Sequence, residues 1–382
     1  MSAAELTSVT MLSIESFLAA ANTVTTCMSH SPLNPAEIMS YSNSACPAQQ
    51  AMLPLSSSSS PMTCQCSDTI TLFGGYGTAA AVIVAGAAVP TALAQNLGIQ
   101  DVLDAWDSSP YSSYPTQFTR DIIPKKLHSH NDYWRKAPLF TAIANGAISV
   151  EADVWLYNDT LYVGHDTSSL TQNRTFSTLY INPLLEILTL QNPTTPFVTS
   201  PTRNGVYDAS VYQTLFLFVD VKTDGATTWP AVLKALQPLR ARNYLTTVNG
   251  TTITPGPITI IGTGATPLDQ IRSKSSRDYF YDGPLTELDE KNITRAISPI
   301  ASTAFTSTIG AVNGTGLSAE QRKKVEGQVK EAHEKGIWVR YWDLPSWPVS
   351  VRDGVWRDLV AAGVDLLNVD DLEAAAGLKE VW

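Results

Sequence analysis

The chain is 382 residues long, 44% hydrophobic and 16% charged, with a net charge of −10. That length can bury one large core or two modest ones. The acidic balance excludes a nucleic-acid-binding surface, which needs a basic stripe to neutralise phosphates.

Charge and cysteine divide the chain at one place. All 25 Lys and Arg lie from Arg120 onward, and residues 1–119 carry seven acidic residues and no basic one. Cys27, Cys46, Cys64 and Cys66 all precede residue 67, so the remainder can hold neither a disulfide nor a thiolate zinc site. A non-catalytic region over 1–119 and a folded domain over 120–382 are therefore expected. Within the first, LSSSSSP at 55–61 is low-complexity and expected to be disordered. No charge interrupts the chain between Asp68 and Asp101. Inside that run, 69–94 is long enough to cross a bilayer and ends in Ala92-Leu93-Ala94, which resembles a signal-peptidase site. It lies far from Met1 and lacks a basic flank, so it reads as a membrane anchor or a displaced signal segment. Membrane association or a secretory route follows as an expectation. Sequons at Asn158, Asn173, Asn249, Asn292 and Asn313 point weakly the same way.

From Arg120 onward, strand-like runs alternate with helical patterns. The strands are expected at 125–131, 147–157, 215–223, 257–263, 278–282, 298–305, 337–343 and 364–370. Helical patterns cover 138–145, 179–191, 229–242, 318–335 and 350–362. Gly146, Gly336 and Gly363 each stand between a helix and a strand, where a left-handed helix terminator belongs. Eight strands with intervening helices predict a TIM (β/α)₈ barrel, with its chemistry at the C-terminal ends of the strands.

Polar residues gather at those ends. Glu151 and Asp153 are two apart in AISVEADVWLY and share one face of a strand, as do Asp220 and Lys222 in LFLFVDVKTDG. Paired carboxylates in apolar strands are costly unless something neutralises them. Three converging carboxylates suit a hard cation with oxygen ligands, Mg²⁺ or Ca²⁺, rather than zinc. Two of the five histidines sit in LHSHNDY at 127–133, which ends the first strand and turns His130 toward the same mouth. A hairpin over NDTLYVGH at 158–165 delivers His165. Two histidines can act as general base and general acid on either side of a phosphorus, while a cation and Lys222 stabilise the phosphoryl oxygens.

The order His130-Asn131, Glu151-Ala152-Asp153, His165 and Asp220-Val221-Lys222 resembles the phospholipase-C-like phosphodiesterase superfamily. That superfamily includes glycerophosphodiester phosphodiesterases, phosphoinositide-specific phospholipases C and venom sphingomyelinases D. SHNDY is similar to the start of eukaryotic phospholipase C, which implies that Asn131 joins the metal ligands. The nearest resemblance is to a fungal group named for altered inheritance of mitochondria. It covers 120–382 and leaves 1–119 aside. It implies a metal-dependent phosphoric diester hydrolase acting on a glycerophosphodiester or a phospholipid-like substrate, with His130 taking a proton and His165 giving one. Asp220 replaces the usual Glu of glycerophosphodiesterases and Asn131 their usual Arg, departures that touch substrate choice rather than reaction class.

Two rivals remain from the sequence. A metal-dependent amidohydrolase would use His128-Ser129-His130 but needs two further histidine ligands. After His165 only His333 is left, in a helical stretch where it is expected to face solvent, while His128 is expected one layer deeper in the barrel. A catalytically inactive barrel that binds lipid or serves as a scaffold would not need both His130 and His165.

Overall fold

A computed structural model describes residues 98–109, 112–379 and 381–382, together with four short strands within 51–79. The chain divides between Tyr114 and Pro115, and the whole barrel falls within Pro115–Trp382. The run at 55–61 lies outside the described residues, as does 69–94 apart from the strand pair Gly74–Gly75 and Thr78–Ala79. Among the described residues no helix is long and apolar enough to cross a membrane.

One ten-stranded sheet organises the domain. Its strands are β1 (Lys125–Ser129), β2 (Ala147–Tyr157), β3 (Thr160–Val163), β4 (Leu215–Val221) and β5 (Ile258–Gly264), then β6 (Phe280–Tyr281), β7 (Gly283–Pro284), β8 (Ile300–Ala304), β9 (Trp338–Trp342) and β10 (Leu366–Val369). The order is β6-β5-β4-β2-β1-β10-β9-β8-β7, parallel throughout, with β3 returning antiparallel on β2. β6 and β7 are halves of one stave on either side of Asp282. One half pairs with β5 (Ile261↔Phe280) and the other with β8 (Gly283↔Ala301), so the sheet closes as eight parallel staves. This is the expected TIM barrel.

Local chemistry explains the punctuation. Gly146, Gly336 and Gly363 all have positive φ (81°, 67° and 92°), which turns the chain from a helix back into a strand. Helix α1 (Phe140–Ala144), α2 (Asn182–Gln191), α3 (Gly225–Ala235), α4 (Ala319–Glu334) and α5 (Val349–Ala361) fall on the five helical patterns, although the pattern expected over 229–242 is two helices, α3 and a separate Gln237–Ala241 with Pro238 in its first turn. The Ser318 and Gln321 side chains each accept a backbone N–H at the start of α4, a reciprocal cap. The links after β5 and β7 carry only a five-residue helix (Leu268–Arg272) and one 3₁₀ turn (Leu285–Glu287), too short to leave a periodic pattern. β1 ends two residues before its expected limit because Asn131 takes a left-handed backbone (φ 47°). Asn158 and Asp159 (φ 47° and 61°) make the tight turn that pairs β3 with β2.

Period-two alternation separates the two faces of each stave. Ile148, Val150, Ala152 and Val154 of β2 are buried against the helices, as are Leu215, Leu217, Val219 and Val221 of β4. The opposite faces fill the barrel in levels. At the N-terminal end Phe216 meets Trp338 (ring centroids 5.5 Å apart), and the Lys126 ammonium lies 5.1 Å from the Trp338 ring.

The middle level is built on Arg340, which is 3% exposed. Its guanidinium donates to Asn368 Oδ1 (2.8 Å), Ser302 Oγ (2.9 Å), His128 Nε2 (3.0 Å) and Asp282 Oδ2 (3.2 Å). It also lies 4.7 Å from the Phe218 ring centroid and 4.0 Å from Glu151 Oε1. The Thr263 hydroxyl of β5 donates to Asp282 Oδ2 (3.1 Å), so every stave reaches this group directly or through one partner. Asp282 is inside the barrel with a side chain 5% exposed. Because guanidinium can only donate, His128 Nε2 accepts, and its Nδ1–H donates to Ser149 Oγ (2.7 Å). Burial, then the charge of Arg340, pushes the His128 pKa down to about 4 and keeps the ring neutral.

Removing one partner of a buried charge network strands the others. Arg340→Met is therefore expected to lower the unfolding free energy by about 3–5 kcal/mol in urea denaturation. Arg340→Lys, which keeps the charge but loses the fork, should fall between the two. An unchanged midpoint in Arg340→Met would show that the network does not hold the barrel.

Candidate active site at the barrel mouth

Above Arg340, β2 and β4 carry the acidic residues. Asp153 and Asp220 are register partners on these neighbouring staves, and Glu151 stands one level lower on β2. Glu151, Asp153 and Asp220 each offer an oxygen within 4.8 Å of the others. Gly264 makes the room: at φ +62°, a Cβ there would sit 2.1 Å from Asp220 Oδ1.

Positive charge reaches the cluster from two sides. Lys222 Nζ lies 2.8 Å from Asp220 Oδ2 and 3.0 Å from Asp153 Oδ2. Burial opposes the Lys222 charge, but Asp220 and Asp153 outweigh it and raise its pKa. Burial likewise opposes the charge of Glu151, yet the Arg340 and His130 side chains hold its carboxyl well below the usual range. The backbone N–H of Asn131 adds a hydrogen bond to Glu151 Oε2 (3.0 Å). Asp153 moves the other way: burial, then the charges of Glu151 and Asp220, push it up to about 7. Burial raises Asp220 against the pull of Lys222.

The set fits a hard divalent cation. All three donors are carboxylates, and the charge they share exceeds what Lys222 neutralises. Asp153 Oδ2 takes both Lys222 and Tyr133, whereas Asp153 Oδ1 is buried with no hydrogen-bond partner. An orphaned buried carboxylate oxygen beside two other carboxylates is where a metal ion would be held. Asn131, the fourth residue of the expected ligand set, is 5% exposed, and its Oδ1 lies 2.6 Å from the Tyr133 hydroxyl.

The two histidines stand at opposite ends of this cluster. His130 Nε2 is 3.7 Å from Glu151 Oε2, and its Nδ1 is 3.0 Å from Asp370 Oδ1. Burial alone would lower the His130 pKa, but the Asp370 hydrogen bond and the charges of Glu151 and Asp370 raise it. His165 lies on the Asp153 side, its Nδ1 3.9 Å from Asp153 Oδ2, and packs on Trp134 with ring centroids 5.0 Å apart. His128 sits below, engaged by Ser149 and Arg340 as described. His333, expected to face solvent, is 42% exposed in its side chain but pairs with Asp365 (2.7 Å). Asp365 precedes β10, so this pair is at the far end of the barrel from the mouth. An amidohydrolase would need His128 and His333 as metal ligands, and neither is placed for that.

Sequence reasoning missed three residues. Arg340 shows only as a single charge inside the aromatic run WVRYW. The partnership of Asp370 with His130 and that of Tyr133 with both Asp153 and His165 carry no spacing signal, since each needs the folded barrel.

Sequence comparison relates the chain to one group of known proteins. Residues 116–282 match the AIM6-like phosphodiesterase domain. The altered inheritance of mitochondria protein 6 homolog of Arthroderma benhamiae is 50% identical over 309 residues, covering 78% of this chain and 98% of that protein. The altered inheritance of mitochondria protein 6 of Eremothecium gossypii is 34% identical, covering 75% of this chain and 77% of that one. Among solved structures, a glycerophosphodiester phosphodiesterase from Parabacteroides distasonis overlaps 65% of this chain and 94% of its own, at 14% identity and a TM-score of 0.36. On the strength of the sequence relatives, the chain belongs to the altered inheritance of mitochondria protein 6 family.

Proposed function

We propose that this protein is a metal-dependent phosphoric diester hydrolase acting on a glycerophosphodiester or phospholipid-like substrate. The observation that carries the reading is two histidines at opposite ends of a carboxylate cluster that holds an orphaned buried oxygen. A divalent cation held by Glu151, Asp153, Asp220 and Asn131 would supply Lewis-acid stabilisation of the phosphoryl oxygens. The rest falls to the side chains. Asp370 accepts from His130 Nδ1–H, which leaves Nε2 as the free base on the Glu151 side. His165, on the Asp153 side, gives a proton to the leaving oxygen, which is a poor leaving group as an alkoxide. Lys222 spends two of its three N–H donors on Asp153 and Asp220 and keeps one for a phosphoryl oxygen.

The uncharged run between Asp68 and Asp101 supports a lipid-like substrate, since it would keep the barrel at a membrane or along the secretory route. Phosphorus NMR of products from glycerophosphodiesters, lysophospholipids and phosphoinositides tests the substrate class directly. Conversion of none of them would overturn the reading.

Chelation is expected to abolish activity, and Mg²⁺ or Ca²⁺ to restore it. Full turnover in excess EDTA would remove the cation from the proposal. His130→Ala and His165→Ala should each lower kcat by about 10²–10⁴-fold with little change in thermal midpoint. His333→Ala, at the opposite end of the barrel, should leave kcat unchanged. Wild-type turnover in both mouth variants would refute the two-histidine mechanism.

A further inference from the structure

The hydroxyl of Tyr133 occupies the one position where the carboxylate cluster and His165 meet. Its oxygen lies 2.7 Å from Asp153 Oδ2, 2.6 Å from Asn131 Oδ1 and 3.2 Å from His165 Nδ1. The ring is 2% exposed, and the Tyr133 carbonyl accepts from Arg174, which ties this turn to the segment beyond the β2–β3 hairpin. Trp134 packs on the imidazole with ring centroids 5.0 Å apart. The neighbouring pair therefore grips His165 by one nitrogen and one ring face, although half of that side chain is open to solvent (51%).

A phenol has one proton and two lone pairs. Asn131 Oδ1 and Asp153 Oδ2 both lie closer to the hydroxyl than His165 Nδ1 does, so that proton is directed to them and away from the imidazole. The hydroxyl oxygen is then an acceptor, and His165 Nδ1 must present its hydrogen to it. We infer that Tyr133 is a positioning residue that fixes His165 with Nδ1–H toward the cluster and Nε2 toward the leaving oxygen. The inference rests on the proposed role of His165 as proton donor. In that step the oxygen of a water deprotonated by His130 Nε2 bonds to phosphorus as the P–O bond to the leaving group breaks, the electron pair stays on the leaving oxygen, and the Nε2 proton of the His165 imidazolium passes to it. Nδ1–H stays with Tyr133 throughout.

Two substrates separate this role from plain packing. An alkyl phosphodiester needs a proton on its leaving group, whereas a p-nitrophenyl phosphodiester releases a stable phenolate without one. In the full chain, Tyr133→Phe keeps the buried ring and removes only the oxygen. It is expected to lower kcat on the alkyl ester about tenfold, a fraction of what proton transfer contributes, with KM unchanged. Turnover of the nitrophenyl ester should stay within about twofold of wild type, since no proton transfer is lost there. His165→Ala should show the same asymmetry, more strongly. Equal losses on both esters, or no loss on either, in Tyr133→Phe would overturn the positioning role while leaving that of His165 intact. A symmetric loss in His165→Ala would overturn the donor role itself, and with it this inference. Should Tyr133→Phe fail to fold, ¹⁵N NMR of selectively labelled wild-type protein still decides. The Nδ1–H tautomer of neutral His165 is expected, and the Nε2–H tautomer would refute the inference.

Discussion

A guanidinium buried inside a barrel is the constraint around which this domain is arranged. Arg340 cannot release its proton, so burial obliges its neighbours to accept hydrogen bonds and supply negative charge. Asp282, Asn368, Ser302 and His128 do so from four different staves, and Glu151 adds its charge from a fifth. Branched aliphatic layers usually fill such barrels. Here a polar level takes their place, and geometry rather than volume alone selects its residues. The neutrality of His128 belongs to the same constraint, because a second cation 3.0 Å from Arg340 would find too few anions.

The mouth inherits its electrostatics from that level. Glu151 faces both groups, with Arg340 beneath it and His130 beside it, and so remains ionised in a buried position. Asp153 and Asp220 share Lys222, and Asp153 also accepts from the Tyr133 hydroxyl. The cluster is thus graded, with one carboxylate firmly charged and two whose charge burial resists. A grading of this kind favours an added cation at the outer pair, where Asp153 Oδ1 is free. Family membership places the chain among proteins with an AIM6-like phosphodiesterase domain, and this local imbalance marks where the mouth would take a cation.

Much of this could be read before folding. Three staves stood out because strand-like runs follow Gly146, Gly336 and Gly363, each at a left-handed position that favours glycine. Glu151, Asp153, Asp220 and Lys222 stood out because period-two spacing puts each pair on one face. Their assembly followed from the rule that strand ends of a barrel share a mouth. Residues whose meaning comes from distant partners stayed hidden. Asp370 lies 240 positions from His130, and Arg340 lies 212 from His128. Asp282 looked like a strand end because β6 does stop there, yet the chain resumes as β7 one residue later and carries Asp282 inside.

That interrupted stave makes the ring mechanically uneven. β4 shares seven register pairs with β5, whereas the two seams beside Asp282 have two pairs each, and one of those ends in Pro284, which has no amide hydrogen to give. Few backbone hydrogen bonds mean a low local opening free energy, so the cylinder is fastened loosely along this line, as it is at the two-pair β9–β10 seam. The Arg340–Asp282 contact crosses it like a clasp, which makes one ion pair responsible for both the filling of the interior and the closure of the wall. Opening along it would leave the carboxylate cluster on the most firmly laced staves, β2 and β4.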